Sequence, residues 1–110
     1  MWTVRQYVTP AGRRPFGEWL DTLPLQTQAR IAARVARFEV GNLGDHKEVG
    51  DGVWEARLPF GPGYRVYFGK HRQQILLLLL GGTKKGQSRD IRRARQWWRD
   101  YLEAEHGTAE

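Results

Sequence analysis

Ile75–Leu80 is an unbroken run of six apolar residues, five of them leucine, set between Gln73-Gln74 and Gly81-Gly82. A strand with one face in water alternates apolar and polar side chains, because successive side chains point to opposite faces. A short run without alternation, bounded by turn formers, predicts a strand covered on both faces. Leucine is not a favoured strand residue, so burial has to override local preference here. The rest of the chain must therefore supply two apolar layers, one for each side of a sheet. The run is also far shorter than the roughly 20 residues of a membrane-spanning helix.

The flanking patterns supply those layers. "WTVRQYV" alternates well enough for a first strand, broken by Pro10 and Gly12. Pro15 suits a first helical turn, and Phe16, Trp19, Leu20 and Leu23 recur at helical spacing until Pro24. A second helix is predicted from Leu25 to Val40, with Ile31, Val35 and Phe38 on one face and Gly41 and Gly44 closing it. In "GVWEARL", Trp54, Ala56 and Leu58 point one way, Glu55 and Arg57 the other. "GPG" at 61–63 is a turn. In "YRVYF", Tyr64, Val66 and Phe68 face the core, while Arg65 and Tyr67 face away. "GKHRQ" is a hairpin connection into the leucine strand, which ends at Gly81-Gly82. The last helix runs from about Ser88 to Glu103 and buries Ile91, Ala94, Trp98, Tyr101 and Leu102. The order strand, helix, helix, strands, helix predicts the α+β class in a single domain over residues 1–110.

Charge narrows the partners. Lys and Arg number 18 against 12 Asp and Glu, a formal net charge of +6, which favours nucleic acid, the ribosome or an acidic protein. No basic amphipathic anchor stands apart from the core pattern, so no membrane partner is expected. The absence of cysteine excludes disulfides and thiolate catalysis and leads to the expectation of a reducing cytoplasm. "MWTVRQYV" lacks the apolar core of a signal peptide. His46, His71 and His106 are scattered, and no pair has metal-ligand spacing, so neither a metal nor another cofactor is expected.

Polar chemistry begins where the leucine strand ends. Lys84 and Lys85 are predicted at the rim of the sheet, beside the face that carries Arg57, Arg65 and Tyr67, so that charges from three segments meet. Each residue also has a plain structural reading. Arg57 can pair with Glu55, the lysines can be solvated turn residues, and Tyr67 can simply cover the sheet. Asp90, near the start of the last helix, is favourable there for dipole reasons alone. Arg30, Arg34 and Arg37, at spacings of four and three, share one helix face. That row is either a solvated basic face or a contact for RNA or an acidic protein. Arg89, Arg92, Arg93 and Arg95 form another basic cluster, and Trp97 sits at the edge of the last helix's apolar stripe as a candidate partner-facing aromatic.

"GVWEARLPFGPGYRVYF" followed by "LLLLGGTKKGQSRDIRRA" resembles the phage-derived Gp49-like, HigB-type branch of the RelE/ParE toxin superfamily. The specific parts are "WEAR", "GPGYRVYF" and the spacing GG-x-K-x-x-Q-x-x-D-I, and the resemblance extends over nearly the whole chain. It implies a compact RelE-like fold with a mainly antiparallel sheet, two N-terminal helices packed on it and a C-terminal helix. It also implies the toxin of a type II toxin–antitoxin pair, whose partner is a cognate antitoxin, HigA-like with a helix-turn-helix domain. Many members cut messenger RNA on the ribosome. The expectation is therefore a ribosome-dependent mRNA endonuclease, an mRNA interferase that blocks translation. The alternatives are a non-catalytic, ParE-like inhibitor of DNA gyrase and a decayed member that only binds its antitoxin, since fold alone does not decide function.

Metal-free RNA cleavage needs a base for the neighbouring 2′-hydroxyl, cations for the charged phosphorane, and a proton for the leaving 5′-oxygen. Arg65 resembles the arginine that holds the scissile phosphate in nuclease members, and its planar fork suits that contact. Lys84 lies where they often carry a basic residue near the leaving group. Arg57 corresponds loosely to basic residues on the preceding strand. The departure is in the rest of the pattern: where RelE has lysines on that strand and a tyrosine in the last helix, this chain has Glu55, Arg57 and Asp90. Glu55 or Asp90 is the candidate base, with Lys84 as acid or charge stabiliser. Lys85, Tyr67, Arg30, Arg34 and Arg37 are candidate RNA contacts, and Trp97 a candidate anchor for the antitoxin.

Overall fold

In a computed structural model, which describes residues 1–108, the leucine run is the spine of a five-stranded sheet. The elements in chain order are β1 (Thr3–Gln6), α1 (Pro15–Asp21), α2 (Leu25–Phe38), β2 (His46–Gly50), β3 (Val53–Leu58), β4 (Tyr64–His71), β5 (Ile75–Thr83), a short 3-10 turn (Lys84–Gly86) and α3 (Gln87–Thr108). The sheet order is β1-β5-β4-β3-β2. Every neighbouring pair is antiparallel except β1 with β5. The fold is thus α+β, with a mostly antiparallel sheet, two N-terminal helices and a C-terminal helix. No helix among the described residues is long and apolar enough to cross a membrane.

The sheet is covered on both faces, as the unbroken apolar run requires. On one side Phe16 of α1 and Ile31 and Phe38 of α2 pack on Ala56, Val66, Phe68, Leu76 and Leu78. On the other, Ala94 and Trp98 of α3 pack on Val53, Tyr67, Leu77, Leu79 and Leu80. All five leucines are buried. Each stabilises the fold by about 1.5–3 kcal/mol relative to exposure, enough to override strand preference.

A bulge sets the register at the C-terminal end of β5. Phe68 pairs with Leu78 and Tyr67 with Leu80, so Leu79 is an extra residue in β5. Leu79 and Leu80 therefore both lie in the layer under α3. Beyond the bulge the two glycines let the flanking helices touch the strand. A Cβ on Gly81 would collide with the Trp19 ring of α1, and one on Gly82 with the Asp90 carboxylate of α3.

Several details differ from the sequence expectation. β5 does not stop at the glycines but runs through them to Thr83, because glycine is needed there for close approach and not for a turn. β2 has no apolar alternation to betray it: it is a sheet-edge strand of sequence HKEVG with an irregular register beside Gly50. Tyr67 points away from the α1/α2 layer as predicted, but into a second core, and is fully buried. Leu102 is 36% exposed, and Trp97 packs against the α3 layer instead. α2 ends at Phe38, leaving Val40 exposed.

Candidate functional site

β3 and β4 pair so that Arg57 stands directly opposite Arg65 and Glu55 opposite Tyr67, all on the α3 side of the sheet. Two like charges across a strand pair repel. Glu55 compensates for them. Its Oε1 accepts from Arg57 Nε at 3.2 Å, and its Oε2 lies 3.9 Å from Arg65 Nε. The same Oε2 accepts from Gln87 Nε2 of α3 at 2.7 Å. Glu55 is fully buried, the Arg65 side chain 11% exposed and Arg57 38% exposed. Glu55 is thus enclosed by its own donors and out of reach of a substrate proton, which corrects its place as a candidate base. It positions the arginines. Gln87, the Q of the spacing GG-x-K-x-x-Q, is a positioning residue that the sequence pattern alone does not single out.

Gly63, the second glycine of "GPG", joins the next segment to this pair. Its φ of +78° is a left-handed conformation that glycine adopts without steric cost. Its carbonyl accepts from Arg65 Nη1 at 2.7 Å and from the Lys84 backbone N–H at 2.9 Å. Lys84 is thereby held beside Arg65 at the sheet rim. The Lys84 and Lys85 side chains are exposed, and neither forms an ion pair among the described residues. Arg65 Nε is buried without a hydrogen-bond partner, an unspent donor inside the cluster.

Asp90 sits in the first turn of α3 with its side chain 8% exposed and Arg89 Nε 3.6 Å away. Burial pushes its pKa up, outweighing Arg89 and Arg93, which pull it down. Asp90 faces a cleft of about 840 Å³ between α1 and α3, over the end of β5. Of the two carboxylates considered as base, only this one opens onto a cavity. The Tyr67 hydroxyl lies buried facing the Glu55 carboxylate, without a well-formed hydrogen bond to it. Burial, then the charges of Glu55 and Asp90, hold its pKa far above normal, so it stays protonated. Fully buried, the Tyr67 side chain cannot contact RNA, which corrects its place among the candidate RNA contacts.

The Arg30, Arg34 and Arg37 row is elsewhere. α2 covers the opposite face of the sheet, so these residues do not join the Arg65 cluster. Arg34 is no solvated cation: Nη1 donates to the Arg57 carbonyl and Nη2 to the Leu43 carbonyl, each at 3.1 Å. Arg30 lies over the Phe60 ring at 3.7 Å. Arg37 is exposed. The basic cluster of α3 also divides. Arg95 turns inward and donates to the Val49 carbonyl, whereas Arg89 and Arg93 border the cleft. Trp97 is half-buried, packs on Tyr7 with ring centroids 6.1 Å apart, and lines the same cleft. Among the described residues, no group of three or more His, Cys, Asp and Glu side chains is placed to hold a metal ion.

The chain is 43% identical over 81 residues to an uncharacterized protein of Haemophilus influenzae, an alignment that spans 73% of this chain and 82% of the relative. The two belong to one family. No family model matches the chain.

Proposed function

We propose that this protein is a HigB-type toxin of the RelE/ParE superfamily that cuts messenger RNA on the ribosome. The observation that carries the reading is the juxtaposition of Arg57 and Arg65 across β3 and β4, of the Lys84 backbone with Arg65 at the Gly63 carbonyl, and of the Asp90 carboxyl with Gly82 opposite Arg65. Arg65 and Arg57 hold the scissile phosphate and balance the charge that grows on the phosphorane. Asp90 takes the proton of the 2′-hydroxyl. Its raised pKa brings it closer to neutral pH, where a general base works best. The 2′-oxygen forms a bond to phosphorus, the bond from phosphorus to the 5′-oxygen breaks, and Lys84 protonates the departing oxygen. The products are a 2′,3′-cyclic phosphate and a 5′-hydroxyl. Lys85, exposed on the same turn, attracts the message. The acidic partner in this reading is a HigA-like antitoxin.

The test is a purified translation reaction with primer extension on the message. Cuts in the ribosomal A site, with cyclic phosphate ends, are expected from the wild type and not from Arg65→Ala. Lys84→Ala is expected to be slower by about one to three orders of magnitude, as for loss of one charge stabiliser. Intact message together with blocked DNA supercoiling would replace this reading with the gyrase inhibitor. Intact message and normal supercoiling would leave a protein that only binds its antitoxin.

A further inference from the structure

We infer that Tyr67 is a positioning residue, a buried reserve donor that takes over the Glu55 carboxylate when Arg57 leaves it for a phosphate. The inference rests on the proposed contact of Arg57 with the message. The register sets up the exchange. Tyr67 stands directly opposite Glu55 across β3 and β4, and Arg57 follows Glu55 two residues along β3 on the same face. The Tyr67 hydroxyl and the Arg57 guanidinium therefore approach one carboxylate from the same side of the sheet.

A carboxylate has about four acceptor positions. Glu55 is fully buried, so bulk water does not complete them. Two are filled, by Gln87 Nε2 at 2.7 Å and by Arg57 Nε at 3.2 Å. The two contacts are unequal. Gln87 makes a short bond from a partly buried side chain. Arg57 is the more exposed partner, and its one contact through Nε is longer than the about 2.7–2.9 Å of a well-made charge-assisted bond. A phosphate that takes the side of the Arg57 fork needs that same Nε. Glu55 then loses a charged donor inside the protein, an unfavourable step unless another donor replaces it.

Two donors stand nearby. Among the described residues, Arg65 Nε and the Tyr67 hydroxyl are buried without a well-formed hydrogen bond, and both lie at Glu55. Arg65 is the less free of the two. Its Nη1 is held on the Gly63 carbonyl at 2.7 Å, with Nε left 3.9 Å from the carboxylate. The Tyr67 hydroxyl hydrogen turns about its own C–O bond. Burial, then the charges of Glu55 and Asp90, keep that hydroxyl protonated and so a donor. The ring is fully buried and does not reach a substrate, so Tyr67 acts through Glu55 alone. A buried donor left without a partner is a plain loss of stability. One that is completed only in the bound state favours that state.

The test uses full-length protein with isotope-labelled arginine, titrated with inorganic phosphate and followed by NMR. At saturation the Arg57 Nε–H is expected to shift as it leaves Glu55, and the Tyr67 hydroxyl proton to exchange with water about tenfold more slowly. Tyr67→Phe keeps the ring and is expected to weaken phosphate binding about tenfold. In an Arg57→Ala background the same substitution is expected to change affinity by less than about twofold, because no arginine has to leave Glu55. A tyrosine with only a structural role would give the same loss in both backgrounds, and that result overturns the inference. It is equally overturned if Tyr67→Phe binds phosphate as tightly as wild type, or if Arg57 Nε stays on Glu55 in the saturated wild-type protein, a reading that needs no variant. The translation reaction keeps the two readings apart. Message cutting without the exchange removes the role of Tyr67 alone, whereas the exchange without cutting upholds that role and removes the nuclease.

Discussion

Replacing Glu55 with alanine separates a positioning carboxylate from a catalytic one. Glu55 is fully buried and accepts from Arg57 and Gln87, with Arg65 Nε at 3.9 Å. Its removal strands Arg65, 11% exposed, beside the like charge of Arg57 and frees the Gln87 amide inside the protein. Breaking an enclosed pair from one side costs about 3–5 kcal/mol, because the remaining charge stays desolvated. That is a large share of the roughly 5–15 kcal/mol that stabilises a typical domain. With 110 residues and an unfolding entropy of about 2.1 cal/mol/K per residue, the loss corresponds to a fall in Tm of roughly 13–22 °C. Glu55→Gln, which keeps size and one acceptor, is expected to lose about 1–3 kcal/mol. Urea denaturation and calorimetry on both variants read these values directly. A Glu55→Ala protein within about 1 kcal/mol of wild type would refute the reasoning, because an enclosed ion cluster cannot lose its only carboxylate so cheaply.

Three further outcomes follow from the same contacts. Asp90 has a folded pKa raised above 3.8, so the fold binds its proton more tightly than the unfolded chain and stability is lost as pH rises through that raised value; Asp90→Asn should remove this loss, giving a flatter stability–pH profile by urea melts above pH 4 and no message cleavage. Arg34→Ala should cost about 2–4 kcal/mol by denaturation, because two backbone carbonyls lose a charged donor; a change under about 0.5 kcal/mol would return Arg34 to the solvated face. Tyr67→Phe removes a buried hydroxyl that faces the Glu55 carboxylate without a well-formed hydrogen bond and should change stability by less than about 1 kcal/mol; a loss near 3 kcal/mol would mean that Glu55 accepts a full hydrogen bond from it.

Much of the fold was legible because the leucine run demands two covering layers, and helical spacing at Phe16–Leu23, Ile31–Phe38 and Ile91–Trp98 provides them. What escaped was set by contacts distant in sequence. β2 forms because it pairs with β3, and its single valine carries no period. Tyr67 looked exposed because alternation assigns a side but not whether that side is covered. Strand parity puts Arg57 and Arg65 on one side of the sheet, and the "GPG" turn brings the Lys84 backbone to the Gly63 carbonyl beside Arg65. Burial of Glu55 was not legible: the same alternation that puts it beside Arg57 says nothing of Gln87, 32 residues away. The cleft was invisible for a similar reason. It arises from the five residues by which β5 outruns β1, a register that no local pattern contains.

Arg34 shows how the two faces of the sheet are connected. Sequence spacing places it in a basic row with Arg30 and Arg37, as if all three had one task. In the fold its guanidinium reaches through to the Arg57 carbonyl, while the Arg57 side chain points to the other face and meets Glu55. The position of β3 is therefore fixed from behind by one arginine and its charge offered in front by another. Glu55 sets one negative charge against the two positive charges of Arg57 and Arg65, and the exposed Lys84 and Lys85 add two cations at the rim that are unpaired among the described residues. In the proposed reaction such a rim meets a phosphate through side chains alone. The enclosed Glu55 and Gln87 keep those side chains in place, so the cost of burying the Glu55 carboxylate supports the geometry of the cations around it. Within the proposed reaction, this division assigns orientation to Glu55, Gln87 and Arg34, and contact with the message to Arg57, Arg65, Lys84 and Asp90.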